Sequence, residues 1–155
     1  MIDLNPFVQF DKWYKEHLTA GIAIPNSVSL GTTDADGRIS VRTVLLKGYN
    51  KTGFVFFTDY NSRKGSQLSS IHKAALLFYW PHCRRQVRIE GTPEKVTEKE
   101  SSDYFESRPR ESQLAAWASD QSSDIIIQDH RHQVASSVHL YLPTLYYSQS
   151  DLSLE

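Results

Sequence analysis

The segment YFESRPRES, which begins at Tyr104, gathers an aromatic hydroxyl, two arginines and two serines around a proline. A spacing of four residues puts Tyr104 and Arg108 on one face of a helix. Pro109 disfavours helical angles at Arg108, so we expect the helix to end there. Ser112 can then cap a second helix, whose free N–H groups attract anions. The segment predicts a phosphate site, and the competing interpretation is a helix corner with a solvated arginine.

Four more basic residues lie where a purely structural element would not need them. Arg42 and Lys47 belong to RTVLLK, an otherwise apolar strand, and buried cations require partners. Arg63 and Lys64 begin a predicted helix in SRKGSQLSSIH, where cations are unfavourable unless an anion binds among them. Taken singly, each can be an edge or solvated residue. Together they predict two anionic groups, such as two phosphates: one beside Arg42, Arg63 and Lys64, the other beside Lys47 and the polar residues of the first segment, Tyr104, Arg108 and Ser112.

Two further stretches add polar groups. RRQVRIEG carries Arg84, Arg85, Gln86 and Arg88 on one predicted strand, and SDQSS ends the second helix of the first segment. A geometric difficulty concerns Arg42 and Lys47, because side chains five positions apart point to opposite faces of a regular strand. They can serve neighbouring sites only if the strand bends or a second copy of the chain completes one site.

Composition excludes several classes of protein. The formal net charge of -1 argues against a generic nucleic-acid binder. Cys83 is the single cysteine, which fits a reducing compartment, and no apolar run approaches the length of a membrane span. The histidines and Cys83 lack zinc-site spacing, so no metal site is predicted. We expect a cytoplasmic protein that binds neither nucleic acid nor membrane.

The hydrophobic pattern predicts an α+β, mainly β fold. An amphipathic helix follows a cap at Asn5 and Pro6 and stops near Gly21. Three hairpin-connected strands come next, turning at DADG and NKTG. A short helix, two more strands joined by PHCR, and two helices follow. Five or so antiparallel strands with short helices at their connections are typical of a small barrel.

The segment from Asp124 onward has no clear period and no glycine. It can supply a strand at SVHLYL, but the pattern assigns it no place in the core. We therefore predict one domain over residues 1–123, followed by a divergent tail over 124–155 whose order the sequence leaves open.

Three segments together resemble a known family: RTVLLKGYNKTGFVFFTDYNSRKGSQL, LLFYWPHCRRQVRIEG and YFESRPRESQLAAWASDQSS. They are similar, in order and spacing, to the flavin-dependent pyridoxamine (pyridoxine) 5′-phosphate oxidases. The resemblance implies an antiparallel split β-barrel that binds FMN at the interface of a homodimer. It also implies oxidation of pyridoxamine or pyridoxine 5′-phosphate to pyridoxal 5′-phosphate, with O2 reduced to H2O2, as part of vitamin B6 salvage.

The same resemblance assigns residues to the two ligands, with no dedicated catalytic side chain. Those implied to bind FMN are Arg42, Thr43, Val44, Leu45, Phe57, Thr58, Arg63, Lys64, Gln86, Gln121 and Ser122. Those implied to bind the phosphate of the B6 substrate are Lys47, Tyr104, Arg108 and Ser112.

The chain departs from the family pattern at both ends. Only Met1 to Leu4 precede the matching region, and no tryptophan follows Trp117, whereas family members carry a WGG-like turn and an R.HDR-like motif there. Two alternatives to an active oxidase follow. One is a non-catalytic module that binds FMN or pyridoxal phosphate. The other is an inactive truncated variant that exposes apolar sheet edges.

Overall fold

The computed structural model describes residues 3–118 and 136–148. The elements in chain order are α1 (Pro6–Leu18), β1 (Ser27–Thr33), β2 (Ile39–Asn50), β3 (Gly53–Thr58), α2 (Arg63–Ile71), β4 (Ala74–Trp80), a 3-10 turn (Pro81–Cys83), β5 (Arg85–Lys95), α3 (Glu98–Ser107), α4 (Arg110–Ala118) and β6 (Ser136–Ser148).

The six strands form a closed antiparallel barrel in the order β1-β2-β3-β6-β5-β4. Helix α1 precedes the first strand, and the other helices are short and occupy connections between strands. The predicted fold class, an α+β and mainly β split barrel with short flanking helices, is confirmed. Among the helices of the described ranges, none combines the length and the apolar character needed to cross a bilayer.

Strand β6 comes from the segment whose place the sequence left open. Its backbone lies between β3 and β5, and Val138 pairs with Phe56 on one side and with Lys95 on the other. Without β6, β3 and β5 would each expose a row of N–H and C=O groups along one edge. Pairing across this gap closes the barrel. The expected boundary between residues 123 and 124 falls outside the described residues.

Helix α1 begins as the sequence predicts. The Asn5 side chain accepts the N–H of Phe7 at 3.0 Å, and Pro6 is the first helical residue. The helix ends at Leu18, before Gly21, which adopts a φ of 70° in the following loop. The helix therefore ends about one turn before the predicted stop at Gly21.

The inward face of α1 fills the barrel with aromatic rings. Phe10 is 1% exposed, and its centroid lies 4.9 Å from that of Phe54 and 5.1 Å from that of Phe78. Both are edge-to-face contacts, a favourable geometry for aromatic pairs. Trp80 and Val87 are also almost fully buried. The core therefore lies between α1 and the inner faces of the strands.

The predicted turns form through local side-chain bonds. Asp34 accepts two backbone N–H groups of its turn, and Gly37 supplies the positive φ of 79°. Asn50 accepts backbone N–H groups in the next hairpin in the same way. At the third connection Arg84 has a φ of 52° and precedes β5, which begins at Arg85. The prediction that Arg84 lies on the strand is wrong, because an extended strand requires negative φ.

The break between α3 and α4 occurs where the sequence predicts it. Arg108 follows the last residue of α3 with φ −75° and ψ 146°, an extended conformation that Pro109 favours. Helix α4 starts at Arg110, and the N–H of Gln113 already donates to the carbonyl of Pro109 at 3.1 Å. Ser112 consequently lies inside the first turn of α4. The prediction that it is the capping residue is wrong.

Candidate functional site

Arg42 is held by buried polar side chains on two neighbouring elements. Its guanidinium donates to Thr32 Oγ1 and, at 3.2 Å, to Gln67 Oε1. The Thr32 hydroxyl donates to the same Gln67 oxygen at 2.6 Å, and Gln67 Nε2 donates to Ser40 Oγ at 3.3 Å. Thr32 and Gln67 are each 4% exposed. Packing therefore fixes this network, and the network orients the Arg42 side chain beside α2.

Arg63 and Lys64, at the start of α2, add two cations to Arg42. Burial lowers the pKa of Arg42, and the nearby Arg63 guanidinium lowers it further. Burial also lowers the pKa of Lys64; Arg42 adds to that effect and the Asp59 carboxylate opposes it. Cations that disfavour each other's charged form are stabilised by a bound anion. We call Arg42, Arg63 and Lys64 the basic cluster.

The N-terminus of α2 is pressed tightly against the preceding loop. Ser62 is fully buried; its hydroxyl donates to the Asp59 carbonyl at 2.6 Å and accepts the N–H of Gly65 at 3.3 Å. A Cβ at Gly65 would lie 2.5 Å from the carbonyl oxygens of Asp59 and Tyr60. Only glycine permits this approach. The helix start, with its free N–H groups and positive dipole end, is thus fixed beside the basic cluster.

A second group forms on the outer side of β2 and β3. The rings of Phe57 on β3 and Tyr104 on α3 stack with centroids 3.6 Å apart and planes 9° from parallel. The ammonium group of Lys47 lies 5.7 Å from the centre of the Tyr104 ring, within cation–π range. We call Phe57 and Tyr104 the aromatic stack. The structure thus brings together two residues predicted to bind the substrate phosphate, Lys47 and Tyr104, and one predicted to lie beside the cofactor, Phe57.

Arg108 follows Tyr104 by about one helical turn. Its N–H donates to the Phe105 carbonyl at 3.2 Å, so the last turn of α3 still sets the direction of its Cα–Cβ bond. Tyr104 and Arg108 therefore lie on one face, as their spacing predicts. Ser112 is half-buried in the first turn of α4, immediately beyond the break.

The parity of β2 separates the two predicted phosphate sites. From residue 42 to 47 the even-numbered side chains point inward and the odd-numbered ones outward. Arg42 is therefore on the inner face, at one end of the barrel, and Lys47 is on the outer face. A register irregularity in the pairing with β3 falls at Lys47, so the strand is indeed distorted there. Val44 is only 7% exposed; its side chain belongs to the core, and only its backbone can face a ligand.

The remaining residues predicted for the cofactor are distributed differently. Thr58 is 4% exposed, and its hydroxyl lies 3.3 Å from that of Ser62, next to the basic cluster. Gln86 lies on β5, which two strands separate from β2 in either direction around the barrel. One chain therefore does not bring Gln86 to the basic cluster. Gln121 and Ser122 fall outside the described residues.

Two of the strand arginines have structural partners. Arg85 forms an ion pair with Glu16 of α1, and its guanidinium lies 4.9 Å from the centre of the Trp13 ring. Arg88 forms an ion pair with Glu90 on the same strand at 3.3 Å. These contacts attach α1 to β5 and neutralise positive charge on β5. Neither arginine joins the basic cluster.

Sequence reasoning missed several residues that support the site. Thr32 and Gln67 orient Arg42, Gly65 permits the close approach of α2, and Gln113 bonds to the end of α3. For Gln67 a signal was available, because it follows Arg63 by four positions and so shares a face of α2 with it. The others depend on neighbours that the local sequence does not specify.

Comparison with known sequences identifies close relatives. A protein-family model described as pyridoxamine 5′-phosphate oxidase matches residues 14–136. A pyridoxine/pyridoxamine 5′-phosphate oxidase of Burkholderia thailandensis is 56% identical over 124 residues, which make up 80% of this chain and 58% of that protein. The chain therefore spans less than two thirds of the length of this relative.

Two solved structures share the fold. PhzG from Burkholderia lata 383, in complex with tetrahydrophenazine-1-carboxylic acid, superimposes with a TM-score of 0.84 at 23% identity, covering 92% of this chain and 78% of PhzG. A pyridoxamine 5′-phosphate oxidase-related, FMN-binding protein from Nostoc punctiforme gives a TM-score of 0.76 at 15% identity, covering 94% of this chain and 85% of the other.

Proposed function

Because this chain belongs to the pyridoxamine 5′-phosphate oxidase family, we propose that it is an FMN-dependent oxidase of pyridoxamine or pyridoxine 5′-phosphate. The products are pyridoxal 5′-phosphate and H2O2, and the reaction serves vitamin B6 salvage. The observation that carries this proposal is the presence of two separate groups of side chains, the basic cluster and the group around the aromatic stack. Each has the chemistry to bind one phosphate ester.

The basic cluster fits the phosphate of FMN. Its cations disfavour each other's charge, and a phosphate dianion relieves that repulsion. The Gly65 contact holds the start of α2, with its exposed N–H groups, in the position that such an anion requires. Arg42 presents a planar guanidinium whose orientation the Gln67 bond fixes, which suits bidentate phosphate binding.

The group around the aromatic stack fits the phosphate of the B6 substrate. Lys47 contributes a point charge, Arg108 a forked guanidinium, and Tyr104 and Ser112 contribute hydroxyl donors. Phe57 holds the Tyr104 ring through the stack at 3.6 Å, which limits its rotation. These residues bind and orient; none needs to act as a nucleophile.

The protein's contribution to the reaction is placement of the substrate. When bound, FMN supplies the two-electron acceptor that dioxygen regenerates. Arg42 and Lys47 belong to the same strand, β2, so a rigid element fixes the distance between the two phosphate sites. Holding two reactants at a fixed separation removes much of the entropic cost of their encounter.

A second copy of the chain belongs to the same proposal. The outer face of β2 and β4 exposes five apolar side chains: Ile39, Val41, Leu45, Leu77 and Tyr79. Val41 is 68% exposed. Gly31 of β1 pairs with Val41 on one side and with Ala75 of β4 on the other, so no bulky side chain lies between these two residues. Exposed apolar side chains on one sheet face favour burial against another protein surface. We propose that this face is the dimer interface and that Gln86 of the partner subunit completes the cofactor site.

A binding protein without turnover is the second candidate. It is favoured by the departure of the sequence from the family pattern after Ser123. Such a protein would retain both phosphate sites, hold FMN or pyridoxal phosphate, and produce no H2O2.

An absorbance spectrum and a peroxide assay distinguish the candidates. The oxidase is expected to be yellow as purified and to release H2O2 when given pyridoxamine 5′-phosphate. Bound flavin with no peroxide supports the binding protein instead. A folded, colourless protein that takes up neither added FMN nor added pyridoxal 5′-phosphate contradicts both.

Paired substitutions test the assignment of the two phosphates. Arg63→Ala with Lys64→Ala is expected to release FMN, whereas Arg108→Ala should keep FMN and raise the KM for the phosphorylated substrate. Losing one charged hydrogen bond costs about 1.5–3 kcal/mol, or roughly a 10- to 150-fold change. Lys12→Ala with Lys15→Ala removes the same charge from exposed positions of α1 and serves as the matched control. If the Arg63→Ala, Lys64→Ala variant and the Arg108→Ala variant lose the same ligand, the division into two sites is wrong.

A further inference from the structure

We propose that Gln113 is a positioning residue for the substrate phosphate, acting through Arg108. This inference rests on the proposed function and extends it to a residue that does not itself contact the ligand. Gln113 joins the end of α3 to the start of α4, and the residues assigned to the phosphate lie on both sides of that joint.

The side-chain amide of Gln113 bonds to the exposed end of α3. Its Nε2 lies 3.1 Å from the carbonyl oxygen of Phe105, 3.3 Å from that of Glu106 and 3.0 Å from that of Arg108. The last carbonyls of a helix have no partner within the helix and need one from elsewhere. The two amide hydrogens of Gln113 are shared among these three acceptors. One side chain therefore closes the C-terminus of α3.

Arg110 fixes the orientation of that amide. Its Nη1 donates to Gln113 Oε1 at 3.1 Å, which directs the oxygen towards Arg110 and the nitrogen towards α3. The backbone N–H of Gln113 donates to the Pro109 carbonyl at 3.1 Å. Gln113 is thus bonded to both sides of the break, by its side chain to α3 and by its backbone to the first turn of α4.

The consequence for the ligand follows from the position of Arg108. Arg108 is the hinge between the helices, with an extended ψ of 146°. Rotation about this bond would swing α4, and with it Ser112, relative to Tyr104. The bonds from Gln113 to the Phe105 and Glu106 carbonyls oppose that rotation, because these two oxygens stay with α3 while Gln113 moves with α4. They keep Arg108 and Ser112 at a fixed separation, which bidentate phosphate binding requires.

Substitution of Gln113 should have a local effect, because the residues around the joint are largely exposed. None of the α3 residues is buried, and Pro109, Arg110 and Leu114 are exposed. Little apolar surface is therefore removed from water at the joint, and most of the stability of the protein comes from the barrel core. A substitution at Gln113 should change ligand affinity much more than the melting temperature.

The test uses Gln113→Glu, which keeps the shape of the side chain but cannot donate to carbonyl oxygens. In the FMN-loaded protein, we expect its Kd for pyridoxal 5′-phosphate, measured by calorimetric titration, to rise about five- to tenfold. The Kd for pyridoxal without the phosphate, the Kd for FMN and the Tm should all stay unchanged. Ser107→Ala is the matched control, because Ser107 Oγ donates to the Tyr104 carbonyl at 2.7 Å within α3 and does not span the joint.

A double-substitution cycle decides whether Gln113 acts through Arg108. In an Arg108→Ala background, Gln113→Glu should add less than about a twofold loss of pyridoxal 5′-phosphate affinity. Full additivity, an equal loss for pyridoxal, or no loss at all would overturn the inference while leaving the proposed function in place. Failure of the unsubstituted protein to bind both FMN and pyridoxal 5′-phosphate would refute the proposed function, and the role of Gln113 with it.

Discussion

Replacing Gly65 by alanine tests the close approach on which the basic cluster depends. By helix propensity alone, glycine to alanine inside α2 should stabilise the protein by about 0.5–1 kcal/mol. The structure predicts the opposite sign. The new Cβ would lie 2.5 Å from the carbonyl oxygens of Asp59 and Tyr60 and 2.7 Å from the Tyr60 carbonyl carbon.

The loss of unfolding free energy on Gly65→Ala follows from these three contacts. All three atoms belong to the backbone, so no side-chain rotation can relieve the overlap, and the start of α2 must move by at least about 0.5 Å. Overpacking of this kind costs about 1–3 kcal/mol, which exceeds the gain in propensity. A net loss of about 1–2 kcal/mol lowers the Tm by about 2–8 °C in a chain of this size. Because Arg63 and Lys64 move with the helix, FMN affinity should fall about tenfold.

The assay combines thermal unfolding with a fluorescence titration of FMN. Gly48→Ala is the control, since a Cβ there meets nothing within 4 Å and the φ of Gly48 is not positive. Gly48→Ala should therefore leave both the Tm and FMN binding nearly unchanged. If Gly65→Ala raises the Tm and keeps FMN affinity, the tight packing of α2 against the Asp59–Tyr60 backbone is refuted.

Three further outcomes are expected. Burial and the hydrogen bond to Asp11 raise the pKa of Tyr49 from 10.0 to about 12, so between these pH values the folded state keeps a proton that the unfolded state loses. The free energy of unfolding should therefore fall as pH rises from about 10 to 12, and the Tm of Tyr49→Phe should fall less over that window. Gln67→Met removes the acceptor that Arg42 and its neighbours share, and should lower FMN affinity about tenfold in the fluorescence titration, with a loss of about 1–3 kcal/mol in unfolding free energy. Phe57→Leu removes stacking worth about 0.5–1.5 kcal/mol from the ring on α3, and should weaken pyridoxal 5′-phosphate binding about two- to tenfold in calorimetry; unchanged binding would show that the aromatic stack does not orient the site.

Much of the local structure could be predicted because its causes lie within a few residues. Asn5 and Pro6 begin α1, Asp34 and Gly37 make the first hairpin turn, and Pro109 ends α3. The errors were local as well. The pattern places Ser112 at the cap of α4, whereas the structure places it inside the first turn, because the Pro109 carbonyl already accepts the N–H of Gln113.

The candidate site could be predicted only in part. Residue type and spacing selected the cations of the basic cluster and the Tyr104–Arg108 pair. They did not reveal Gln67, which lies 25 positions from Arg42, or the contact between Arg85 and Glu16, which are 69 positions apart. The ion pair with Glu16 and the contact with the Trp13 ring give Arg85, one of the predicted donors, a structural role. Which arginine is available to a ligand depends on partners from distant parts of the chain.

The sequence by itself determined the family, the mainly β class and the turns, and it selected residues with the chemistry to bind phosphate, because each depends on side-chain chemistry or on short-range backbone preferences. Tertiary structure alone decided that β6 pairs with β3 and β5 and that Phe57 stacks on Tyr104. These features arise when strands distant in sequence pair in one register and close the barrel. Strand pairing satisfies the backbone hydrogen bonds of β3 and β5 wherever a partner is found, so the local pattern of any one segment does not specify the partner.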